Sequence, residues 1–308
     1  MTLRLLTFVL LALSLASGCT RQDSLDRITE RGELLVVSRN SPTTWHSDKS
    51  GETGFEYVLA GMFADDLGVK LKMKPAFSLS EIFVILLRGE ADFAAAGLAL
   101  TGERGDTFPH SIPYYQLRPQ VVYVAGTYRP RMLKDLRDME ILVLAGSRHS
   151  QILQTLSDTG FPELQWREID EVDSMELLEL VNAGEAPLAI IDSNEFDVQQ
   201  SLYPRLKVAF DLGSSQDMVW YLPPIDDNLR LKARMDVFLE RLQSDGTLEA
   251  LREKYFGHAQ TVSRIGSHTF TRNMHKTLPK YRALIQQVAE EYQMDWHLLA
   301  AIAYQESH

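Results

Sequence analysis

The chain has 308 residues, 45% of them hydrophobic and 24% charged, and its 42 acidic against 31 basic side chains give a formal charge of −11. With an isoelectric point near 5.2 and a mean hydropathy of −0.15, it reads as a globular chain long enough for about two domains. No basic cluster interrupts the acidic balance, so no nucleic-acid partner is expected. A single cysteine excludes an internal disulfide and a cysteine-based metal site, and the histidines are scattered without ligand spacing, so no metal is expected.

Residues 1–18 carry one charge, Arg4, then an apolar run from Leu5 to Leu13, then Ala16, Ser17 and Gly18 ahead of Cys19. The run is too short for a permanent membrane span, and the small residues suit a signal peptidase, so the segment reads as an export signal. Leu15-Ala16-Ser17-Gly18-Cys19 resembles a bacterial lipobox, with Ala16 where leucine is more usual. The alternative is an ordinary signal peptide with an incidental cysteine. The lipobox resemblance implies acyl chains on Cys19 and attachment to a membrane through that lipid anchor. Thr20 follows in place of aspartate, which in the Gram-negative lipoproteins it resembles implies the periplasm, at the inner face of the outer membrane. Residues 19–30 read as a polar tether.

From 31 to 257 strands and helices alternate. Glu33–Arg39 is a β-branched run that predicts a buried strand. Phe55, Val58, Leu59, Met62 and Phe63 predict a helix over 54–67 that Gly68 ends. Val69–Met73 alternates as a strand with one solvated face. Ser78 and Glu81 form a capping-box pattern that opens a helix over 82–88, and 92–98 reads as a further strand. The order then repeats: strand 141–145, helix 149–158, strand 164–169, helix 174–183, strand 187–191. Two β-α-β-α-β repeats predict an α/β fold of two lobes built on mainly parallel sheets, with a ligand cleft between them at the carboxyl ends of the strands.

Gly97-Leu-Ala-Leu-Thr101-Gly-Glu-Arg104, then Phe108 and Ser111-Ile-Pro113-Tyr114-Tyr115, resemble the signature of the family 3 periplasmic solute-binding proteins, as does Gly54-Phe55-Glu56. The resemblance implies a bilobed type 2 periplasmic-binding-protein fold and a cleft for an amino acid or a muropeptide. It implies that Arg104, with Thr101, grips an α-carboxylate, for which a planar guanidinium supplies paired charge-assisted hydrogen bonds. Asp192 matches the acid that holds an α-ammonium, Gly146 and Ser147 match the turn that meets the carboxylate from the second lobe, and Trp45 stands at the place of a stacking aromatic. Ala99 departs from the serine that many members carry. Read without the resemblance, Arg104 is a solvated charge, Asp192 a cap on the following turn, and Trp45 a core residue.

Helices predicted over 227–244 and 247–256 close this region, and 258–268 reads as a linker. In 269–308, Leu278, Tyr281, Leu284, Ile285, Val288 and Tyr292 share one face of a helix, and Asp295 is placed to cap a second helix over 296–307 that is apolar nearly all round. One partner helix cannot bury such a helix, so the reading expects the first helices of an incomplete α-helical domain. Glu306 extends an apolar face through Leu299, Ile302 and Ala303, where desolvation favours a protonated acid. A solvated glutamate at a helix end is the plainer alternative.

Ala300-Ala-Ile-Ala-Tyr304-Gln-Glu306-Ser307 resembles the catalytic helix of the lysozyme-like lytic transglycosylases. That resemblance implies a peptidoglycan glycan strand as substrate and no cofactor. Glu306 protonates the leaving oxygen of the β-1,4 bond between N-acetylmuramic acid and N-acetylglucosamine, then takes the proton of the muramoyl 6-hydroxyl to give a 1,6-anhydro product, with Ser307 in support. A chain ending at residue 308 is expected to lack the rest of the cleft and to be inactive. The competing expectation is a periplasmic lipoprotein that captures an amino acid or peptide for an importer or sensor.

Overall fold

A computed structural model of the chain describes residues 23–48, 51–170, 172–257, 277–292, 294 and 296–306. The export signal and Cys19, the stretch 258–268, Asp295 and Ser307 lie outside these residues. The chain divides into two units, the first holding residues up to Leu117 and again Ser215–Leu251, the second Arg118–Ser214 and the chain from Arg252.

The first unit opens on a difference from the sequence reading. Within the expected tether, Ser24–Arg31 forms helix α1, capped by Asp23, which accepts from the Leu25 N–H at 2.9 Å, and ended by Gly32 at φ 71°. Ile28 is fully buried, and the Ser24 hydroxyl donates to the Asp227 carbonyl at 2.7 Å. One buried isoleucine makes no periodic stripe, which is why the helix does not announce itself in the sequence. Strand β1 (Glu33–Arg39) follows, then the hairpin of β2 (His46–Asp48) and β3 (Gly51–Thr53), helix α2 (Phe55–Leu67), β4 (Lys70–Ala76), α3 (Leu79–Leu87), β5 (Phe93–Ala94), α4 (Gly102–Thr107) and β6 (Tyr115–Leu117).

The sheet order is β4-β1-β5, all parallel. The strand expected over 92–98 is paired in the sheet only at Phe93–Ala94. Beyond it the chain turns at Gly97, φ 65°, and bonds to a later segment, with the Val219 N–H on the Leu98 carbonyl and the Leu100 N–H on the Asp217 carbonyl. At the start of α3 the Ser78 hydroxyl accepts from the Glu81 N–H at 3.2 Å, while the Glu81 carboxylate takes the Phe77 N–H at 2.7 Å, one residue outside a capping box.

The second unit contains β7 (Pro119–Val124), β8 (Glu140–Leu144), α5 (Arg148–Thr159), β9 (Gln165–Ile169), α6 (Ser174–Ala183), β10 (Leu188–Asp192), α7 (Ser193–Gln199) and β11 (Leu206–Asp211). Its sheet runs β11-β7-β10-β8-β9. The predicted strands β8, β9 and β10 are parallel, but β7 pairs antiparallel with both β10 and β11, so this sheet is mixed. Val121, Ile141, Val143, Leu153, Leu188 and Ile190 form its core. The chain then returns to the first unit through β12 (Gln216–Met218), antiparallel to β6, a 3-10 turn at Asp226–Asn228, α8 (Leu229–Ser244) and α9 (Thr247–Arg252), which a π-helical turn over Glu253–Gly257 continues.

Helices α10 (Leu278–Glu291) and α11 (Trp296–Glu306) follow, joined by the Arg282 guanidinium over the Trp296 ring at 5.0 Å. Ala289 is buried, whereas Tyr281, Leu284, Leu298 and Ile302 are exposed. Among the described residues no helix is long and apolar enough to cross a membrane.

Candidate functional site

In the first unit the residues matched to ligand binding stand where β1 and β5 end. Thr101 is buried and caps α4, its hydroxyl accepting from the Arg104 N–H at 3.2 Å. The cap starts a helix of six residues and so fixes where the Arg104 side chain leaves the backbone. Arg104 is half-buried, its guanidinium carbon 4.5 Å from the centre of the Phe83 ring. Stacking of this kind steadies a guanidinium by about 0.5–1 kcal/mol and holds its plane in one orientation. The loop before the cap is held next to it by Tyr221, whose hydroxyl donates to the Ala99 carbonyl at 3.0 Å and accepts from the Thr101 N–H at 3.3 Å.

The other end of that loop rests on Glu56, fully buried in α2. Its carboxylate accepts from the Gly97 N–H at 3.0 Å, the Tyr114 hydroxyl at 2.5 Å and the Trp220 indole N–H at 2.9 Å. Burial pushes the Glu56 carboxyl above the ordinary carboxylate range, against these donors and the charge of Arg39. Burial likewise carries the Tyr114 phenol well above its usual value, with the Glu56 charge and hydrogen bond adding to the effect. Glu56 enters the sequence reading only as part of a motif; that it gathers residues 97, 114 and 220 is visible only in the fold.

Trp45 is half-buried and outside the core, its indole N–H donated to Glu52 across the β2–β3 hairpin. The turn before it lies on the start of α2, where the Tyr57 N–H bonds the Thr44 carbonyl at 3.1 Å. Gly54 makes that approach possible, since its φ is 123° and a Cβ there would stand 2.7 Å from the Thr44 carbonyl carbon.

In the second unit, the parallel neighbours β8 and β10 carry the matched residues to one edge of the sheet. Gly146, at φ 64°, turns the chain out of β8, and Ser147 caps α5. Asp192 ends β10 and occupies the cap position of α7, but its side chain makes no capping bond. It meets His149 of α5 instead, with Nε2 3.1 Å from Oδ1. His149 is absent from the sequence reading; a lone histidine one residue past a helix start carries no spacing signal.

Glu306 is the last residue of α11; Ser307 and Cys19 lie outside the described residues. Among the described residues no cluster of histidine, cysteine, aspartate and glutamate could hold a metal ion.

Residues 34–258 match the bacterial extracellular solute-binding proteins, family 3, and the chain belongs to that family. Its fold is that of the type 2 periplasmic binding proteins: a mutant of ArgBP from T. maritima superposes with a TM-score of 0.68 at 23% identity, covering 76% of this chain and 99% of that one. An ancestral arginine-binding protein bound to glutamine gives 0.64 at 25% identity, over 74% of this chain and 99% of that chain. The match to a curated relative runs past the solute-binding region: the membrane-bound lytic murein transglycosylase F of Ectopseudomonas mendocina is 41% identical over 301 residues, 96% of this chain and 61% of that protein. The chain thus spans about 60% of the length of the curated relatives it matches.

Proposed function

We propose that this chain is the amino-terminal part of an exported, lipid-anchored lytic transglycosylase, in which a solute-binding region precedes the domain that cleaves peptidoglycan. The observation that carries the reading is the continuity of the 41% identity over 301 residues, long enough to take in both the solute-binding region and most of the segment from 269 onward. The anchor is Cys19, and the protein stands in the periplasm at the inner face of the outer membrane, within reach of the glycan strands. Residues 269–308 begin the catalytic domain.

Within the solute-binding region, Arg104 and Thr101 of the first unit take the carboxylate of an amino acid or of a muropeptide stem, Ser147 of the second unit addresses the same carboxylate, and Asp192 takes the ammonium. The stacked, capped setting of Arg104 supports its part, as does the absence of a capping bond on Asp192. Trp45 packs against the ligand. Glutamine bound to an ancestral arginine-binding protein supports ligands of this class.

In the catalytic domain Glu306 acts first as acid towards the glycosidic oxygen and then as base towards the muramoyl 6-hydroxyl, with Ser307 in support. One carboxylate suffices because an internal hydroxyl attacks C1, so no second acid is needed to orient water. The test uses a protein of the relatives' full length on purified peptidoglycan. It should release 1,6-anhydromuropeptides, and Glu306→Gln should lower the rate at least about a hundredfold. Reducing-end products, or near-normal release by that variant, would overturn the reading.

A further inference from the structure

The His149–Asp192 contact has a feature that simple packing does not require. His149 keeps only 8% of its side chain exposed and Asp192 only 16%. The hydrogen bond to His149 is the one made by the Asp192 carboxylate among the described residues. On the other side of the ring, His149 Nδ1 is buried with no hydrogen-bond partner among those residues. A carboxylate can only accept, so Nε2 carries the proton of this bond. The ring therefore donates its Nε2–H to one carboxylate oxygen of Asp192.

The backbone explains why these groups meet. β8 and β10 are parallel neighbours, so the turn after β8, where α5 begins, and the last residue of β10 emerge at the same sheet edge. Asp192 cannot be steadied by its own helix, because its side chain makes no capping bond to α7. The donor that steadies it comes from α5.

We infer that His149 is the positioning residue of Asp192: it occupies Oδ1, fixes the carboxylate plane, and reserves Oδ2 with the full negative charge for a ligand ammonium. The inference rests on the amino-acid-binding reading above, in which Asp192 takes the ammonium, and adds the residue that orients that carboxylate.

Two measurements on the whole chain test it. The first is the ¹⁵N resonance pattern of His149 without ligand at about pH 8, above the ordinary histidine range. Nε2 should be protonated and Nδ1 bare; the opposite tautomer would overturn the geometry. The second is calorimetry with the twenty common L-amino acids, each binder paired with its desamino carboxylic acid. His149→Leu should weaken the amino acids about tenfold, the scale of one charge-assisted hydrogen bond, and leave the desamino acids unchanged. His149→Gln, whose amide N–H can reach the same oxygen, should restore most of the loss. If His149→Leu weakens both ligand types equally, or neither, His149 is a packing residue and the inference fails while amino-acid binding stands. If no amino acid binds the unaltered chain, the amino-acid-binding reading fails and takes the inference with it. Loss of fold by the Leu variant is recognised from its circular dichroism, and His149→Met, which likewise cannot donate, then decides: selective weakening of the amino acids supports positioning, and full retention or equal loss of both ligand types refutes it.

Discussion

Two glycines flank the same helix, and replacing each by alanine separates backbone strain from steric exclusion. Gly68 ends α2 at φ 70° with no atom within 4 Å of an added Cβ, so Gly68→Ala meets only the left-handed conformation and should cost about 1 kcal/mol. Gly54 precedes α2 at φ 123°, and a Cβ there would lie 2.7 Å from the Thr44 carbonyl carbon and 3.0 Å from Trp45 Cα. These are backbone atoms, so no rotamer change relieves the clash. The turn must shift, and with it the Tyr57 N–H bond to the Thr44 carbonyl at 3.1 Å. Strain of about 1–3 kcal/mol at a glycine-only conformation, joined to about 1–3 kcal/mol for forced displacement, puts Gly54→Ala at about 2–6 kcal/mol. That is a large fraction of a domain's total stability. Urea unfolding followed by tryptophan fluorescence reads both losses, since the buried Trp220 lies in the same unit. Equal losses near 1 kcal/mol for the two variants would show that the Thr44–Trp45 turn is not fixed against α2, and the steric argument would be wrong.

Arg104→Ala should weaken a carboxylate ligand by about 2–5 kcal/mol in calorimetry, and Arg104→Lys should recover only part, because an ammonium cannot make the paired contact; unchanged affinity would remove Arg104 from the site. Glu56 supplies a pH test whose sign follows from its raised folded pKa. Between the ordinary value of 4.5 and the raised one, the folded chain holds a proton that the unfolded chain has released. Stability relative to Glu56→Gln should therefore fall as pH rises through that window and level off above it; a difference that grows with pH would mean the three donors outweigh burial. Hydrogen exchange should be fast in α10 and α11, where Tyr281, Leu284, Leu298 and Ile302 are exposed, and slow in β8, where Ile141, Leu142 and Val143 are fully buried; equal protection would show that the helical pair is as stable as the sheet.

The sequence by itself determined the elements whose signal is local. Apolar periodicity with a capping residue or a terminal glycine marks α2, α3, α5 and α6 to within a few residues, and unbroken apolar runs mark β1, β8 and β10. The Thr101–Arg104 pair was picked out in the sequence only through its resemblance to a family motif, and that Thr101 caps the short helix carrying Arg104 is seen in the fold. Relations between distant segments were not legible. The shortness of β5 follows from residues more than a hundred positions later claiming its hydrogen bonds, and the mixed sheet of the second unit follows from β7 and β11 flanking β10 antiparallel. Glu56 reads as one charge on an apolar helix until Gly97, Tyr114 and Trp220 are seen to donate to it. His149 becomes meaningful only when parallel pairing of β8 with β10 sets it against Asp192, 43 residues away. Short-range structure is fixed by the chain's own periodicity, which any stretch carries within itself. A buried polar contact between remote segments is fixed by the demand that every desolvated donor and acceptor find a partner, and only the folded chain decides which one.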